Sequence, residues 1–444
     1  MAFCVLRKSS ASTRARSTSS CTVDLELEHL QFMLNALRKV VALPAVIAAT
    51  ATTAVLLSNT TETNLKEGSK HTFLYSWGNN LYGQLGQGTE KNKISPTLVE
   101  HLEHNPVSAI FANGKNSAAI VNNEVWTFGG GANGILGHGD AIDQPNQTAP
   151  KKIVSLSNKN ITCIAVGGFH MLAHDEKGEV LYSWGRNNAG QLGLGEGKTG
   201  NHGDPQTVSG VEGTIASVAA GRQHSLVLTS SGAVYSFGNG RDAQLGLGDK
   251  KYRKAPSKIE ELPPNVVSIA CGRDSSFALT SEGILWSWGK DDYGQLGHGR
   301  TQRYVTLPRR VASLDHEKIV SIHMGEYHGC AVSSDGRMFT WGKNSDGQCG
   351  HGHKNNVTQP TQVEALEALN VVVSSADCGD GHTAAITEKG ELWLWGRGRS
   401  GEIGRGGKTA ESNAAYRSVP VKVPLELTAT SVALGAEHTL CVLE

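Results

Sequence analysis

SWGNNLYGQLGQG (76–88), TFGGGANGILGHG (127–139), SWGRNNAGQLGLG (183–195), SFGNGRDAQLGLG (236–248), SWGKDDYGQLGHG (287–299), TWGKNSDGQCGHG (340–352) and LWGRGRSGEIGRG (394–406) are seven ungapped copies of one pattern. Successive copies start 51 to 56 residues apart, and in each the glycine after the aromatic is followed eight residues later by another. A fixed period of this length marks one small structural unit repeated side by side. The aromatic (Trp77, Phe128, Trp184, Phe237, Trp288, Trp341, Trp395) offers each unit its largest packing surface. Burial of ~150–250 Å² contributes roughly 4–6 kcal/mol per unit before entropy is counted.

Between these copies runs a second element, apolar–x–Gly–x–x–His/Ser followed by an apolar run. Its glycines are Gly114, Gly167, Gly221, Gly272, Gly325, Gly379 and Gly435; three residues on stand Ser117, His170, His224, Ser275, His328, His382 and His438. The apolar run leads to a turn at Lys177-Gly178, Ser231-Gly232, Glu282-Gly283, Asp335-Gly336 or Lys389-Gly390, a hairpin signal between two strands. A four-stranded sheet cannot bury both faces alone, so the expectation is a ring: an all-β, seven-bladed propeller over residues 65–444. The first aromatic–glycine strand lacks a Gly–x–x–His strand before it, and the last Gly–x–x–His strand lacks an aromatic–glycine partner after it. The two ends are therefore expected to pair and close the ring.

These residues carry a resemblance. The SWGxNxxGQLGxG and CGxxHSxxLT patterns resemble RCC1 repeats, named for the chromosome-condensation regulator that exchanges nucleotide on the small GTPase Ran. The resemblance covers about residues 70–444 and implies the propeller fold. For function it implies a choice among nucleotide exchange, ubiquitin-ligase targeting, ultraviolet sensing, β-lactamase inhibition and mitochondrial assembly. The photoreceptors carry Trp-rich GWRHT segments, where this chain has GRQHS (221–225), GRDSS (272–276) and GEYHG (325–329). No large catalytic domain follows Leu443, which argues against a ubiquitin ligase. The chromatin-bound member has a basic tail and an inserted wedge, and no inter-repeat segment here stands out as such an insertion.

Glycine is abundant, 53 residues, yet residues 1–67 have none. That leading segment holds seven Lys/Arg against five Asp/Glu, leaving 34 against 36 for the rest of a chain with formal net charge zero. A body this balanced lacks the footprint of a nucleic-acid binder. Residues 1–23 carry Arg7, Lys8, Arg14 and Arg16, nine Ser/Thr and no acid, a composition like a mitochondrial presequence. Within 24–64, Leu27, Leu30, Leu34, Leu37 and Val41 share a helical face, and 22 uncharged residues (40–61) are long enough to cross a bilayer. The expected location is the mitochondrion, with 40–61 as a candidate inner-membrane anchor. A non-spanning linker, a plastid signal, a secretory signal-anchor and a cytoplasmic or nuclear location are the alternatives.

Cofactors, metals and covalent catalysis are not expected. The eight cysteines form no CxxC pair and read as reduced thiols. The repeat histidines fall in different blades, so they read as structural; neither a phosphate-binding GxxxxGK[ST] nor a GxSxG or HExxH segment is present. What remains is surface charge. Lys250, Lys251, Arg253, Lys254 and Lys258 follow the copy at 236–248, and Arg300, Arg303, Arg309 and Arg310 follow the copy at 287–299. These nine are expected to form a docking patch for an acidic protein partner, with Arg397, Arg399 and Arg405 as a smaller cluster. The expected role is a protein-interaction scaffold or regulator in organelle gene expression or respiratory-complex assembly. The alternative is a guanine-nucleotide exchange factor for a small GTPase.

Overall fold

A computed structural model describes residues 72–406 and 415–444, which form a β-propeller of seven four-stranded antiparallel sheets. Blade 1 comprises Val107–Asn113, Asn116–Val121, Glu124–Gly129 and Gln147–Lys152, and blades 2 to 6 repeat that order along the chain. Blade 7 is shared between the two ends. Ala429–Leu434 and His438–Leu443 supply its inner pair, and Phe73–Gly78 and Lys93–Leu98 its outer pair. Phe73 pairs with Leu443 and Gly78 with His438, so the chain closes as its repeat arithmetic requires. The two ends meet where the other blades have a hairpin turn. The segments read as presequence (1–23) and as helix with anchor (24–64) lie outside the described residues. Among the described residues no helix is long and apolar enough to cross a membrane.

The first strand of each blade lines the axis and touches its neighbours' first strands all the way round. The motif aromatics are all fully buried. They pack across blade boundaries rather than within blades: Trp184 of blade 2 lies in one cluster with Ile120 and Leu136 of blade 1. A second aromatic recurs two residues earlier, at Tyr75, Trp126, Tyr182, Tyr235, Trp286, Phe339 and Trp393. The period-2 pleat sends it to the same face of the sheet as the motif aromatic.

The hairpins between second and third strands follow the expected chemistry: Gly178, Gly232, Gly283, Gly336 and Gly390 have φ of 66 to 85°. Blade 1 turns on Asn122 (φ 53°) and Asn123 (φ 61°) instead, asparagine being the non-glycine residue most tolerant of that region. The described cysteines carry free thiols, and burial pushes that of Cys163 up to about 11 and raises those of Cys271 and Cys441.

Deleting residues 428–444 removes both inner strands of blade 7 and with them the closure. We expect the single cooperative thermal transition of the propeller to be lost, measured by circular dichroism at a strand band. A truncated chain that melts in one sharp step near the parent temperature would disprove closure as the source of cooperativity.

Candidate functional site

The Gly–x–x–His loops join first to second strands at one end of the ring. The loop after each motif aromatic lies at the same end, because the residue following its glycine hydrogen-bonds back: Arg186 N–H to Phe169 O (2.9 Å), Lys290 N–H to Asp274 O (2.9 Å), Lys343 N–H to Tyr327 O (2.9 Å). Around the axis the motif glycines stand against one another. A Cβ on Gly167 would lie 2.7 Å from the carbonyl oxygen of Gly221, and one on Gly221 would lie 2.7 Å from that of Gly272. Close approach, rather than positive φ, explains the glycine at most of these positions. Gly114 differs. It has φ 55° at the first central position of a two-residue hairpin between Asn113 and Asn116.

The strand register corrects the sequence alignment: Ala112 pairs with Ser117 as Val166 pairs with Met171, so the loops are equally long and Asn113, not Gly114, stands at the motif-glycine position. Ser117 does not stand in the histidine position: Asn116 pairs with Gly129 as His170 pairs with Gly185, so Asn116 is the equivalent. Ser117 occupies the next position, that of Ser225, Ser276, Thr383 and Thr439. These five hydroxyls belong to one device. The Nε2 of His170 lies 2.8 Å from Ser225 Oγ, that of His224 2.9 Å from Ser276 Oγ, and that of His328 2.8 Å from Thr383 Oγ1. His382 meets Thr439 at 3.3 Å and His438 meets Ser117 at 2.9 Å, the last step closing the circle.

Each hydroxyl then donates to a carbonyl of the preceding blade: Ser225 to Gln191 (2.8 Å), Ser276 to Gln244 (2.7 Å), Thr383 to Gln348 (2.7 Å), Thr439 to Glu402 (3.0 Å) and Ser117 to Gln84 (2.8 Å). A hydroxyl has one proton. With it committed to the carbonyl, the imidazole supplies the other hydrogen, so Nε2 is the protonated nitrogen. Three of these carbonyls also accept an indole N–H, from Trp288 (3.0 Å), Trp395 (2.9 Å) and Trp77 (2.8 Å). Where a blade lacks the histidine, the next lacks the hydroxyl: Asn116 is followed by Met171, and Ser275 by Gly329. The histidines are therefore blade connectors, as the repeat symmetry implies.

The open surface at this end lies around the axis. A cavity of about 420 Å³ is lined by loops of all seven blades. The residue after each loop glycine rims it: Lys115, Gly168, Arg222, Arg273, Glu326, Asp380 and Ala436. Cations and Phe169 occupy blades 1 to 4, and acids occupy blades 5 and 6. Arg273 is ion-paired to Glu326 and lies 3.5 Å from Asp274. Asp377, deeper on the axis, accepts the Leu434 N–H (2.7 Å) and faces His323 Nδ1 at 3.6 Å. Burial, with Glu326 nearby, pushes the Asp380 carboxyl up to about 6. Arg222 and Arg186 both lie over the Phe169 ring, at 5.6 and 5.1 Å, and Lys115 lies 3.8 Å over Tyr82. No carboxylate among the described residues is within ion-pair distance of Lys115, Arg186 or Arg222.

The basic residues singled out in the sequence lie on the outer wall of blades 3 and 4. Lys250 reaches across to Tyr304, 3.0 Å from its hydroxyl, and Arg303 lies over the same ring. This brings Lys250 and Arg303 together, with Lys251 and Arg300 in the same two loops. Arg309 and Arg310 stand at the far end of the strand Tyr304–Arg310, where a register irregularity sets its length against the four-residue step from Lys290 to Trp286, about 13 Å, and they are not gathered with the others. Local acids meet several: Arg253 pairs with Asp249 (2.8 Å), Lys254 with Glu196 (2.5 Å), Lys258 with Glu260 (2.8 Å) and Arg310 with Asp315 (2.7 Å). Arg397 of the smaller cluster is bound to the Ala436 carbonyl and faces Glu402 (3.4 Å). Sequence reading missed the axial rim, although its signal was present: the residue after each loop glycine differs between copies and carries charge in five of seven.

This is a closed propeller whose repeated polar side chains serve its own assembly. Residues 73–441 match the model of the RCC1-like domain, and the chain belongs to that family. It is 36% identical over 335 residues to the ultraviolet-B receptor UVR8 of Arabidopsis thaliana, covering 74% of each chain. It is 30% identical over 407 residues to the RCC1 domain-containing protein RUG3, mitochondrial, of the same plant, covering 83% of this chain and 88% of that one. It matches 8% of the length of the human ubiquitin-protein ligase HERC2. Among solved structures, Prp20p from Saccharomyces cerevisiae, described with its binding to Gsp1p and histones, superposes with a TM-score of 0.75 at 24% identity, covering 85% of this chain and 92% of that one.

Burial holds His170, His224 and His438 down to about 3, from 6.5, and burial, with Arg397 nearby, also lowers His382 well below its ordinary value. A group depressed on folding contributes stability above its unfolded value, lost as pH falls from about 6.5 toward the folded value. Urea titrations across pH 7 to 4 are therefore expected to show falling stability. The double variant His224→Gln, His438→Gln should be less stable at pH 7 and flatter across that range. Equal slopes would refute the neutral-imidazole assignment. Ser276→Ala, which leaves His224 and the Gln244 carbonyl short of a partner, is expected to cost about 1–3 kcal/mol at pH 7.

Proposed function

We propose that this protein is a mitochondrial RCC1-like propeller that acts by binding a protein partner, as a scaffold or regulator in organelle gene expression or respiratory-complex assembly. One observation carries the binding part. The polar side chains that recur through the ring are spent joining blades, while charge without a partner stands at the open axial end and on the outer loops of blades 3 and 4. The mitochondrial part is supported by the basic, Ser/Thr-rich residues 1–23 and by the likeness to RUG3 along nearly its whole length. Residues 40–61 are its candidate inner-membrane tether. Guanine-nucleotide exchange finds no support beyond the shared fold with Prp20p.

A fluorescent fusion at the C-terminus is expected to overlap a mitochondrial dye and to stay in the pellet after carbonate extraction. A cytosolic signal would end the mitochondrial reading, and carbonate release would end the tether alone. In affinity purification from isolated organelles, reversing Lys251, Arg253 and Arg303 to Glu should reduce recovery of the captured partner in a salt-sensitive way. Unchanged recovery would remove the outer loops of blades 3 and 4 from the interface.

A further inference from the structure

The axial rim has a polarity that the rest of the ring lacks. Going round from blade 1 to blade 7, the rim residues read Lys115, Gly168, Arg222, Arg273, Glu326, Asp380, Ala436, with Lys115 one position later than the rest, in line with Phe169. Cations stand in blades 1, 3 and 4, acids in blades 5 and 6, and small residues, Gly168 and Ala436, in blades 2 and 7. The two sides are not equally available. Glu326 is taken by Arg273, and Asp377 by a backbone N–H and His323. Lys115 and Arg222 are exposed and lie over aromatic rings, with no carboxylate among the described residues within ion-pair distance. Gly168 stands between them with no side chain, and Arg222 packs against it: a Cβ there would lie 3.2 Å from the Arg222 Cα and Cγ.

We propose that this cavity receives an acidic peptide segment of a partner protein, its carboxylates held between Lys115 and Arg222 across Gly168. Charge complementarity selects the acidic ligand, because two cations without an ion pair among the described residues, Lys115 and Arg222, outweigh the one such acid at the rim, Asp380. A cavity of about 420 Å³ is in the size range that encloses a small ligand, enough for a few residues of a peptide turn. Phe169 fixes the guanidinium groups of Arg222 and Arg186 on one ring, so they are held in place before the ligand arrives. Glu326 and Asp380 across the cavity orient the segment, since they repel carboxylates and favour a neutral or basic residue on their side. The outer basic loops lack this arrangement: Arg253 and Lys254 already have acidic partners.

The proposal deepens the partner-binding reading and rests on it, yet its test is separate from organelle capture. Fluorescence anisotropy with the purified full chain would use labelled hexaglutamate, hexalysine and a neutral glycine–serine hexamer, with inorganic phosphate as competitor. Hexaglutamate alone is expected to bind, weakening with salt and resisting millimolar phosphate. Lys115→Glu with Arg222→Glu should weaken it at least about tenfold, a loss of two favourable charge contacts. Asp380→Asn, which removes a repelling carboxylate, should strengthen it about two- to threefold. The reversal Lys177→Glu with Lys389→Glu, on hairpins at the opposite end of the ring, should leave it unchanged. All three sites are at the surface or rim, and circular dichroism would verify the fold of each variant. Absence of hexaglutamate binding, preference for hexalysine, displacement by phosphate alone, or indifference to the Lys115/Arg222 reversal would each overturn the proposal. Organelle partner capture that survives the Lys115/Arg222 reversal would leave the scaffold reading standing without this site.

Discussion

The ring rests on a carbonyl at the turn between the two glycines of the aromatic motif. In blades 3, 5 and 6 that carbonyl (Gln244, Gln348, Glu402) accepts one bond from an indole N–H and another from a hydroxyl, both belonging to the next blade. An sp² oxygen offers two lone pairs, so these acceptors are saturated. The histidine of the same blade then grips the same hydroxyl. Packing of aromatics would let neighbouring blades slide and twist, because dispersion has little directionality. Directed bonds at two lone pairs fix the angle between blades. A closed ring needs that constraint, since seven interfaces must sum to one turn and an error in each would accumulate.

The interdependence of the parts is visible where the device is absent. Asn116 in blade 1 and Ser275 in blade 4 replace the histidine, and the following blades carry Met171 and Gly329 where a hydroxyl would stand. Neither half is retained without the other. A hydroxyl left without its imidazole, or an imidazole without its hydroxyl, would be a buried polar group short of a bond, which costs about 1–3 kcal/mol. Gly329 leaves the room that Met324 and Trp341 fill. The pairs are lost together because half a pair is worse than an apolar contact.

Much of this was legible in the chain. The aromatic–glycine period yields seven blades, and the mismatch of its ends yields closure, because both follow from counting. The histidines read as structural because repeat symmetry separates them. Three things escaped. Ser117 was placed in line with the histidines because blade 1 carries its loop glycine one residue late, with Asn113 at the motif-glycine position and Gly114 after it, and a glycine-anchored alignment does not register that shift. The second aromatic position, Tyr75 to Trp393, was visible as alternation but was overshadowed by the Trp-Gly pair. The basic residues 250–310 were grouped as equivalent loops of adjacent blades, whereas strand rise carries Arg309 and Arg310 to the opposite end. Nearness along a strand is distance in space; nearness across blades is contact.

The axial rim escaped for a different reason, and the reason separates fold from function in this protein. Motif reading searches for what stays the same between copies, and sameness here is demanded by closure: each interface must present one glycine, one aromatic and one accepting carbonyl in one geometry. A position that points into the axis is exempt, since it touches no neighbouring sheet. It can take glycine in blades 1 and 2, arginine in blades 3 and 4, glutamate in blade 5 and aspartate in blade 6 without disturbing the ring. Seven equal blades would otherwise make a mouth with seven-fold symmetry, unable to orient an asymmetric ligand. Polarity at the rim breaks that symmetry. It does so at the one ring of positions where charge meets solvent on one side and the other blades' loops on the other, so the electrostatic field of the opening is set by residues that the architecture leaves free.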